Sequence, residues 1–508
     1  MATGSDDIAA LIALNRFGLG GRPGDLRAAS SDPRGFLRQE LTKRDVALMG
    51  TDLPSGEDAL VQVFGVRRRR REERARAAPP ATTGEGNPEA SKSPRRKGEA
   101  RPPEMQEAES GNGPADAPSM AGIAQAPAAA GSANPRAPNP VQQLYRNEVM
   151  ARLTKQAQAD AGFVERLVAF WSNHFAVSAA KGPLVRAAAG SFEREAIRPH
   201  VLGRFADMLR AVEQHPAMLF YLDNQRSIGP NSKAGRNRGK GLNENLAREI
   251  LELHTLGVGG GYSQEDVTAL ARIITGWTFA GGEAKAAEPG RFLFRANWHE
   301  PGAHRLLGRT YAEAGLAQGE AALSDLARQP STARHVASKL GRHFVADQPP
   351  LPLVERLATV FRDSDGDLAA VSLTLIQDDD AWSAPMTKMR TPAEFMVAIA
   401  RATGFLPERP QPILSALRSM GMIPWQPPGP NGFPDTADAW SSPEAMKARL
   451  DVSWRAAQQT KTVEQPLAVL DAVAGSAASS ETRQAIARAE SREQGLAILF
   501  MSPEFQRR

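Results

Sequence analysis

Residues 243–257, NENLAREILELHTLG, combine a helical pattern with polar groups that could carry chemistry. At the α-helical step of about 100° per residue, Leu246, Ile250 and Leu253 form an apolar stripe of the kind that a globular protein buries. Glu249 falls inside this stripe. Because a carboxylate among leucines loses its hydration, it must find a cation, a metal ion or a proton. The stretch is therefore predicted to contain either a reactive acid or a structural buried ion pair.

Two carboxylates and an amide lie in one row of this helix. Asn245, Glu249 and Glu252 are separated by four and then three residues, which places their side chains next to one another. Glu249 and Glu252 are candidate catalytic residues, the acid and the base of a hydrolase or lyase. Neighbouring carboxylates on one helix share a proton more readily than they flank a scissile bond. Glu300 and Asp223 are therefore further candidates for the second carboxylate.

A metal-dependent variant of the same site is also open. Its ligands would be Glu249 and Glu252 together with the histidines His174, His254 and His299. Neutral imidazoles and carboxylates suit zinc, iron or manganese, so a divalent metal is the cofactor expected in this variant. The alternative for His174, in the apolar context FWSNHF, is a buried structural histidine.

Other polar and aromatic residues accompany these groups. His299, Glu300 and His304 lie in RANWHEPGAHRLLG, where Gly302 separates the two histidines. This spacing indicates a loop and not the helical histidine pair of H-E-x-x-H. The residues expected to bind substrate are Asn173, Asn245, Arg248, Trp277 and Trp298.

These residues are compatible with two different functions. The first is a hydrolase or lyase that acts on a carbohydrate-like or other polar substrate, in which Glu249, His174 and His299 converge on a water-accessible pocket. The second is a non-catalytic binding or maturation protein, in which the polar row is structural and Glu249 pairs with an arginine in a closed core.

The elements that position these residues are predicted to be helices with clear ends. Gly257 follows the central pattern as a helix C-cap. Ser263 with Asp266 and Thr391 with Glu394 have the spacing of capping boxes at the start of two further helices. Such segments recur along the chain, which predicts an all-α fold with one large multi-helical body.

An insertion interrupts this body near the N-terminus. The run Arg67–Arg71 consists of arginines, and 12 of the 38 prolines fall in the Pro-, Ala- and Gly-rich segment that follows it, up to residue 140. Such a composition cannot bury enough apolar area to offset its chain entropy, so we predict disorder over roughly 78–138. The expected organisation has three parts: 1–65, an N-terminal helical part of the body; 66–140, an arginine-rich and then low-complexity disordered insertion; and 141–508, the main helical domain.

The composition excludes several classes of function. The chain has no cysteine, which rules out disulfides, thiolate zinc sites and cysteine nucleophiles. The net charge of +5 comes mainly from the arginine run, which lacks interleaved aromatic residues, so there is no strong nucleic-acid signal. No run of 18 apolar residues and no signal peptide appears, so we expect no membrane span and a cytoplasmic location.

Several motifs together resemble one bacterial family. They are NRFGLGGRPGDL, FWSNHFAVS, HPAMLFYLDN, NENLAREILELHTLGVGGGYSQEDVTALARIITGW, LARQPSTARHVASKLGRHFVADQPP, TPAEF and SPEFQ. The chain resembles the family known as domain of unknown function 1800 over nearly its whole length, except roughly 66–140. The resemblance implies no established activity, and it implies a lysine where this chain has His304. It also implies a partner: a co-encoded sulfatase-like protein of unknown-function family 1501, which usually carries a twin-arginine export signal and could take this chain to the periplasm.

Overall fold

The protein is mostly helical, as its sequence predicts. A computed structural model describes residues 4–42, 46–48, 53–77, 139–238, 241–281 and 289–508. The described residues up to 68 and those from 139 onwards form one compact unit, which contains the sites described below. The segment predicted to be disordered, 78–138, lies outside the described residues, and the predicted domain boundaries stay predictions. No helix in the described part of the chain is long and apolar enough to cross a membrane.

Many of the helices begin at a recurrent start signal, which is a proline in the first turn or a Ser, Thr, Asp or Asn cap. The α-helices are α1 (Gly4–Leu11), α2 (Asp25–Ser30), α3 (Pro33–Thr42), α4 (Gly56–Ala77), α5 (Pro140–Gln158), α6 (Phe163–His174), α7 (Pro183–Phe192), α8 (Phe205–Gln214), α9 (Pro216–Tyr221), α10 (Gly235–Arg238), α11 (Asn245–Glu249), α12 (Gln264–Ile273), α13 (Leu316–Ala327), α14 (Pro330–Phe344), α15 (Leu351–Asp363), α16 (Leu368–Gln377), α17 (Asp379–Ser383), α18 (Pro392–Thr403), α19 (Pro410–Ser419), α20 (Pro443–Gln459), α21 (Pro466–Ala474), α22 (Ser480–Ala487), α23 (Arg492–Met501) and α24 (Pro503–Gln506).

Shorter elements complete the described structure. Two antiparallel strand pairs form, β1 (Trp277–Phe279) with β2 (Phe292–Phe294) and β3 (His304–Leu306) with β4 (Arg309–Tyr311). The π-helical segments are Ile12–Phe17, Glu193–Ile197 and Ile250–His254, and the 3-10 segments are Ala179–Lys181, Arg198–His200, Asn224–Arg226, Asp438–Trp440 and Gly475–Ala477.

The central stretch is helical, but its second half is wider than an α-helix. Helix α11 ends at Glu249, the next five residues are π-helical, and Gly257 follows with a left-handed φ of 87°. A π-turn inserts an extra residue per turn, so later side chains rotate away from their α-helical positions. Leu251 is accordingly buried, although the α-helical pattern puts it on the solvated face, whereas Leu253 is partly exposed.

Buried arginines join distant parts of the chain. Six arginines lie among the largest fully buried side chains: Arg16, Arg166, Arg198, Arg401, Arg449 and Arg508. Arg401 of α18 donates to the carbonyl oxygens of Gly20, Ala159 and Asp160, which lie near other helix ends. A guanidinium has five N–H donors, so one side chain can satisfy several carbonyls that a helix terminus leaves unpaired.

A tryptophan core beside the strands depends on a glycine of α13. Trp277 is fully buried and packs edge-on against Phe292, with the ring centroids 5.9 Å apart. A Cβ added to Gly319 would lie 2.4 Å from Cζ2 of Trp277. Only a residue without a side chain therefore lets α13 approach the indole this closely.

We predict that Gly319→Ala destabilises the protein. Overpacking a filled core costs about 1–3 kcal/mol, which the gain in helix propensity of up to about 1 kcal/mol offsets only in part. The free energy of unfolding in urea measures the effect. Gly241→Ala is the matched control, because a Cβ there meets open space. Equal stability of the two variants would contradict the proposed packing.

Candidate functional site

Glu249 and Glu252 lie partly exposed on the central helix. Burial is the largest cause that raises the pKa of Glu249, and the charge of Glu252 raises it further. No hydrogen bond or ion pair to the Glu249 carboxylate is found among the described residues. Glu252 accepts a hydrogen bond from the Tyr262 hydroxyl, 3.1 Å away. Glu249 is thus neither paired with an arginine nor enclosed in the core.

Three histidines surround the C-terminal end of the central helix. His254 is fully buried, and its Nδ1 lies 2.8 Å from Oε1 of the buried Glu213. His174 donates through Nε2 to the carbonyl oxygen of His254 at 3.1 Å, and His335 donates to that of Leu253 at 3.0 Å. Carbonyls at a helix end lack an N–H partner within the helix. The histidines therefore cap this end of the helix.

The three histidines predicted to bind a metal each have another contact. His174 and His254 belong to the histidine group at the helix end, and His299 contacts the carbonyl oxygen of Thr275 through Nδ1 at 3.1 Å. Among the described residues, no group of three or more His, Asp or Glu side chains is placed to hold a metal ion. The metal role of these histidines stays a prediction.

Glu300 is held by hydrogen bonds to the protein's own backbone and side chains. Its carboxylate accepts hydrogen bonds from the backbone N–H of Asn231 at 2.8 Å and from Nδ2 of the same residue at 2.5 Å. Its own N–H donates to Oγ1 of Thr275 at 2.8 Å. Because both carboxylate oxygens are engaged and the residue is buried, Glu300 fixes the loop that precedes the central helix.

The five predicted substrate-binding residues lie in different environments. Asn245 is exposed at the start of α11, and Arg248 donates to Gln264 at 2.8 Å. Trp277 is buried, and the guanidinium of Arg295 lies 4.5 Å from the ring centroid of Trp298. These four residues do not line the pocket described next, whereas Asn173 does.

A pocket that opens to solvent lies against the loop of residues 424–440, and we call it the 424–440 pocket. Asn173 connects α6 to this loop, because its Nδ2 donates to the carbonyl oxygen of Phe433 at 2.9 Å and its Oδ1 accepts from the N–H of the same residue at 2.7 Å. The walls are mainly apolar and include Val149, Leu153, Val397, Leu417, Met422 and Phe433. Such an apolar pocket with a few polar groups is typical of ligand sites.

The backbone of the loop is strained where it forms the pocket wall. Trp425 has a φ of 49°, a left-handed conformation that bulky residues rarely adopt. Its carbonyl oxygen accepts a hydrogen bond from the N–H of Ala179 at 2.7 Å, and its Nε1 donates to Glu193 at 3.2 Å. Strained residues cost about 1–3 kcal/mol and occur preferentially at functional sites.

A histidine and an aspartate form a hydrogen-bonded pair in this pocket. Nδ1 of His343 lies 2.7 Å from Oδ2 of Asp435, and both residues line the pocket. Burial lowers the pKa of His343. Burial alone would raise the pKa of Asp435, but the His343 imidazole, through its charge when protonated and its hydrogen bond, and then the charges of Lys388 and Arg508 hold this pKa well below its usual range. Nε2 of His343 is buried and has no hydrogen-bond partner in the described structure.

A second buried carboxylate lies in the same pocket. Glu394 is 3.0 Å from Nε of Arg508 and 3.4 Å from Nη2 of Arg166. It also accepts a hydrogen bond from the N–H of Thr391, which completes the predicted capping box of α18. Burial would raise the pKa of Glu394, but the charges of Arg508 and Arg166 lower it to about 2.

The His343–Asp435 pair is absent from the sequence-based candidates. Two signals point to it: the basic helix α14 carries Arg334, Lys339 and Arg342 beside the histidine, and the loop 424–440 is rich in proline and aromatic residues without being a flexible linker. Because the two residues lie 92 positions apart in the chain, no local spacing brings them together.

A sequence model of one family matches residues 12–507, and its description reads Protein of unknown function (DUF1800). The chain belongs to this family. The match confirms the resemblance seen in the motifs and extends across the insertion. Neither the curated proteins nor the solved structures contain a match to the chain. The family description names no activity, so the function of this DUF1800 protein must be argued from its geometry.

The histidine group of this DUF1800 protein predicts acid-sensitive stability. Burial, followed by the charge of Lys339, lowers the pKa of His335 from 6.5 to about 4. Between these pH values the unfolded chain binds the proton and the folded chain does not, so the free energy of unfolding falls as the pH decreases from about 6.5 to 4.

We predict that His335→Gln flattens this dependence, because the amide cannot titrate and can still donate to the carbonyl of Leu253. Urea unfolding at several pH values gives the free energy of unfolding of the wild type and of the variant as a function of pH. The raised pKa of Glu249 changes this free energy in the opposite direction in both proteins, so the difference between the two curves isolates the contribution of His335. Parallel curves for the two proteins would refute the assignment.

Proposed function

We propose that the protein is an enzyme, a hydrolase or lyase, whose substrate binds in the 424–440 pocket and whose general base is His343. The observation that supports this proposal is the unpartnered Nε2 of His343 in an apolar pocket, with Nδ1 bound to Asp435. A carboxylate at Nδ1 fixes the tautomer with its proton on Nδ1 and leaves a lone pair on Nε2.

The charges around the pair suit a base at neutral pH. His343 has a lowered pKa and is therefore neutral, while Asp435 is ionised. In a hydrolase, Nε2 would take a proton from the attacking water and return it to the leaving group. In a lyase, it would take a proton from carbon, while the electron pair of that C–H bond forms a double bond and the leaving group departs from the adjacent carbon. The apolar walls exclude water and strengthen the interactions of charge that develops during either reaction.

The pocket walls favour a substrate with an apolar body over the carbohydrate-like substrate suggested by the sequence. Glu249 and Glu252 remain a second candidate acid–base pair for the same class of reaction, with or without a divalent metal. The unpaired carboxylate and the raised pKa of Glu249 support this second site. These residues do not line the 424–440 pocket, so the two sites can be tested separately.

A non-catalytic function is the alternative. His343 and Asp435 contact the same ion network as Glu394 and Arg508, so the pair could serve stability alone. In this case the protein would bind or mature a co-encoded sulfatase-like partner of unknown-function family 1501. Export to the periplasm together with that partner belongs to this alternative.

We predict that His343→Gln lowers kcat by about 10²-fold or more, the usual contribution of a general base. Turnover of p-nitrophenyl esters of increasing acyl length, together with a panel of β-elimination substrates, measures it. Asp435→Asn should also lower kcat, because the amide no longer fixes the productive tautomer. His200→Gln is the matched control, because this histidine does not line the pocket.

Thermal unfolding establishes that each variant is folded. A folded His343→Gln protein with the turnover of the wild type would refute the catalytic role. If the wild type turns over no substrate of the panel, the binding alternative gains, and co-purification with the sulfatase-like protein would then support it.

A further inference from the structure

We propose that the substrate of the 424–440 pocket carries an unbranched alkyl chain, and that the end of this chain passes between Leu153 and Val397 into a second, apolar cavity. The inference rests on the proposed function in placing the substrate in the 424–440 pocket. It adds the chemical class of the substrate and the two residues that its chain must pass.

The second cavity lies next to the 424–440 pocket. It is formed by residues of α18, by residues 405–407 after this helix, and by residues of α5, α19 and α20, and we call it the 405–407 cavity. Leu153 and Val397 line both the 424–440 pocket and this cavity. A residue that lines two spaces stands between them, so the side chains of Leu153 and Val397 form the partition.

Helix α18 runs past both spaces. Glu394 in its first turn lines the 424–440 pocket, whereas Ile399 and Ala400 line the 405–407 cavity. An α-helix rises about 1.5 Å per residue, so the axial distance from Glu394 to Ala400 is about 9 Å. Arg508, which pairs with Glu394, also donates to the carbonyl oxygen of His343. The ion network around His343 therefore lies beside the first turn of α18, and the second cavity lies beside its later turns.

The walls of the 405–407 cavity are apolar. Of the described residues that line it, only Gln459 has a polar side chain. The others include Met396, Leu406 and Ile413. A cavity with few polar partners holds water poorly and binds apolar groups. Because a sugar or an ionised group would lose its hydration there without new hydrogen bonds, the part of the substrate that enters is hydrocarbon.

The partition determines the shape of this hydrocarbon. Leu153 on α5 and Val397 on α18 are both buried, and both border open space on two sides. The β-branched Val397 has one preferred rotamer in a helix, whereas Leu153 has room to change its rotamer. A chain that is one methylene wide passes between them with a smaller displacement than a ring does. Since a close-packed interior resists larger movements, the passage favours an unbranched chain.

The first test is isothermal titration calorimetry of the wild type with butanol, hexanol, octanol and decanol, each below its solubility limit. We expect the affinity to rise about 4-fold for each added methylene group, the effect of burying it. Cyclooctanol has as many carbon atoms as octanol, but its ring cannot pass the partition. It should bind at least about 10-fold more weakly, which corresponds to the loss of about two buried methylene groups.

The second test fills the 405–407 cavity with a larger side chain. Ala400 and Ala456 line this cavity and not the 424–440 pocket. In Ala400→Leu and in Ala456→Leu, decanol affinity should fall at least about 10-fold while butanol affinity stays the same, because butanol is short enough for the first pocket alone. Ala485→Leu is the matched control, because this exposed alanine of α22 lines neither space.

Several results would overturn the inference. They are an affinity of the wild type that does not rise with chain length, cyclooctanol binding as tight as octanol binding, unchanged decanol affinity in both leucine variants, or an equal loss of butanol and decanol affinity in them. Absence of alkanol binding to the wild type would have the same meaning. The cyclooctanol comparison needs no variant, so it decides the question even if neither leucine variant folds.

Failure of the alkyl-chain site can be distinguished from failure of the proposed enzyme, because alkanol binding requires no catalysis. Length-dependent binding by a wild type that turns over no substrate of the panel would leave the chain site standing and refute the enzyme. Turnover of p-nitrophenyl acetate that is lost in His343→Gln, with the same kcat/KM for the acetyl and decanoyl esters, would support the enzyme and refute the chain site.

Discussion

The buried carboxylate of Glu394 is the interaction on which the pocket depends. It lies between Arg166 of α6 and Arg508 at the end of the sequence, and it also caps α18 through Thr391. Both arginines donate to the carbonyl oxygen of His343, so the same ion network positions the histidine. Removing one partner of a buried ion pair costs about 3–5 kcal/mol, because the remaining charge is left without compensation. Parts of the chain that are distant in sequence are thereby fixed around one site.

This network also sets the protonation of the His343–Asp435 pair. Lys388 and Arg508 supply positive charge that favours the ionised form of Asp435. Burial, with the charges of Arg166 and Arg508, disfavours a proton on the His343 imidazole and outweighs the opposing charge of Asp435. An ionised aspartate beside a neutral histidine is the state that a general base requires. The contacts that stabilise the fold around the pocket therefore also favour the protonation state that the proposed general base needs.

The helical fold follows from local signals in the sequence, whereas the pocket does not. Both capping boxes form as predicted, at Ser263 and at Thr391, because a cap needs only residues three positions apart. The central helix shows the limit of such reasoning, since its π-turn changes which side chains are buried. The partner of His254 is Glu213, a residue that no helical wheel of residues 243–257 contains. Contacts of this kind depend on how the helices pack, which one sequence does not reveal.

The proposal that His343 is the general base is tested most directly by nitrogen-15 NMR of protein with labelled histidines. The His343→Gln variant is used to assign the His343 resonances. At neutral pH we predict that the His343 ring is neutral, with the proton on Nδ1 and a bare Nε2. A doubly protonated ring, or a neutral ring with its proton on Nε2, would contradict the proposed general base.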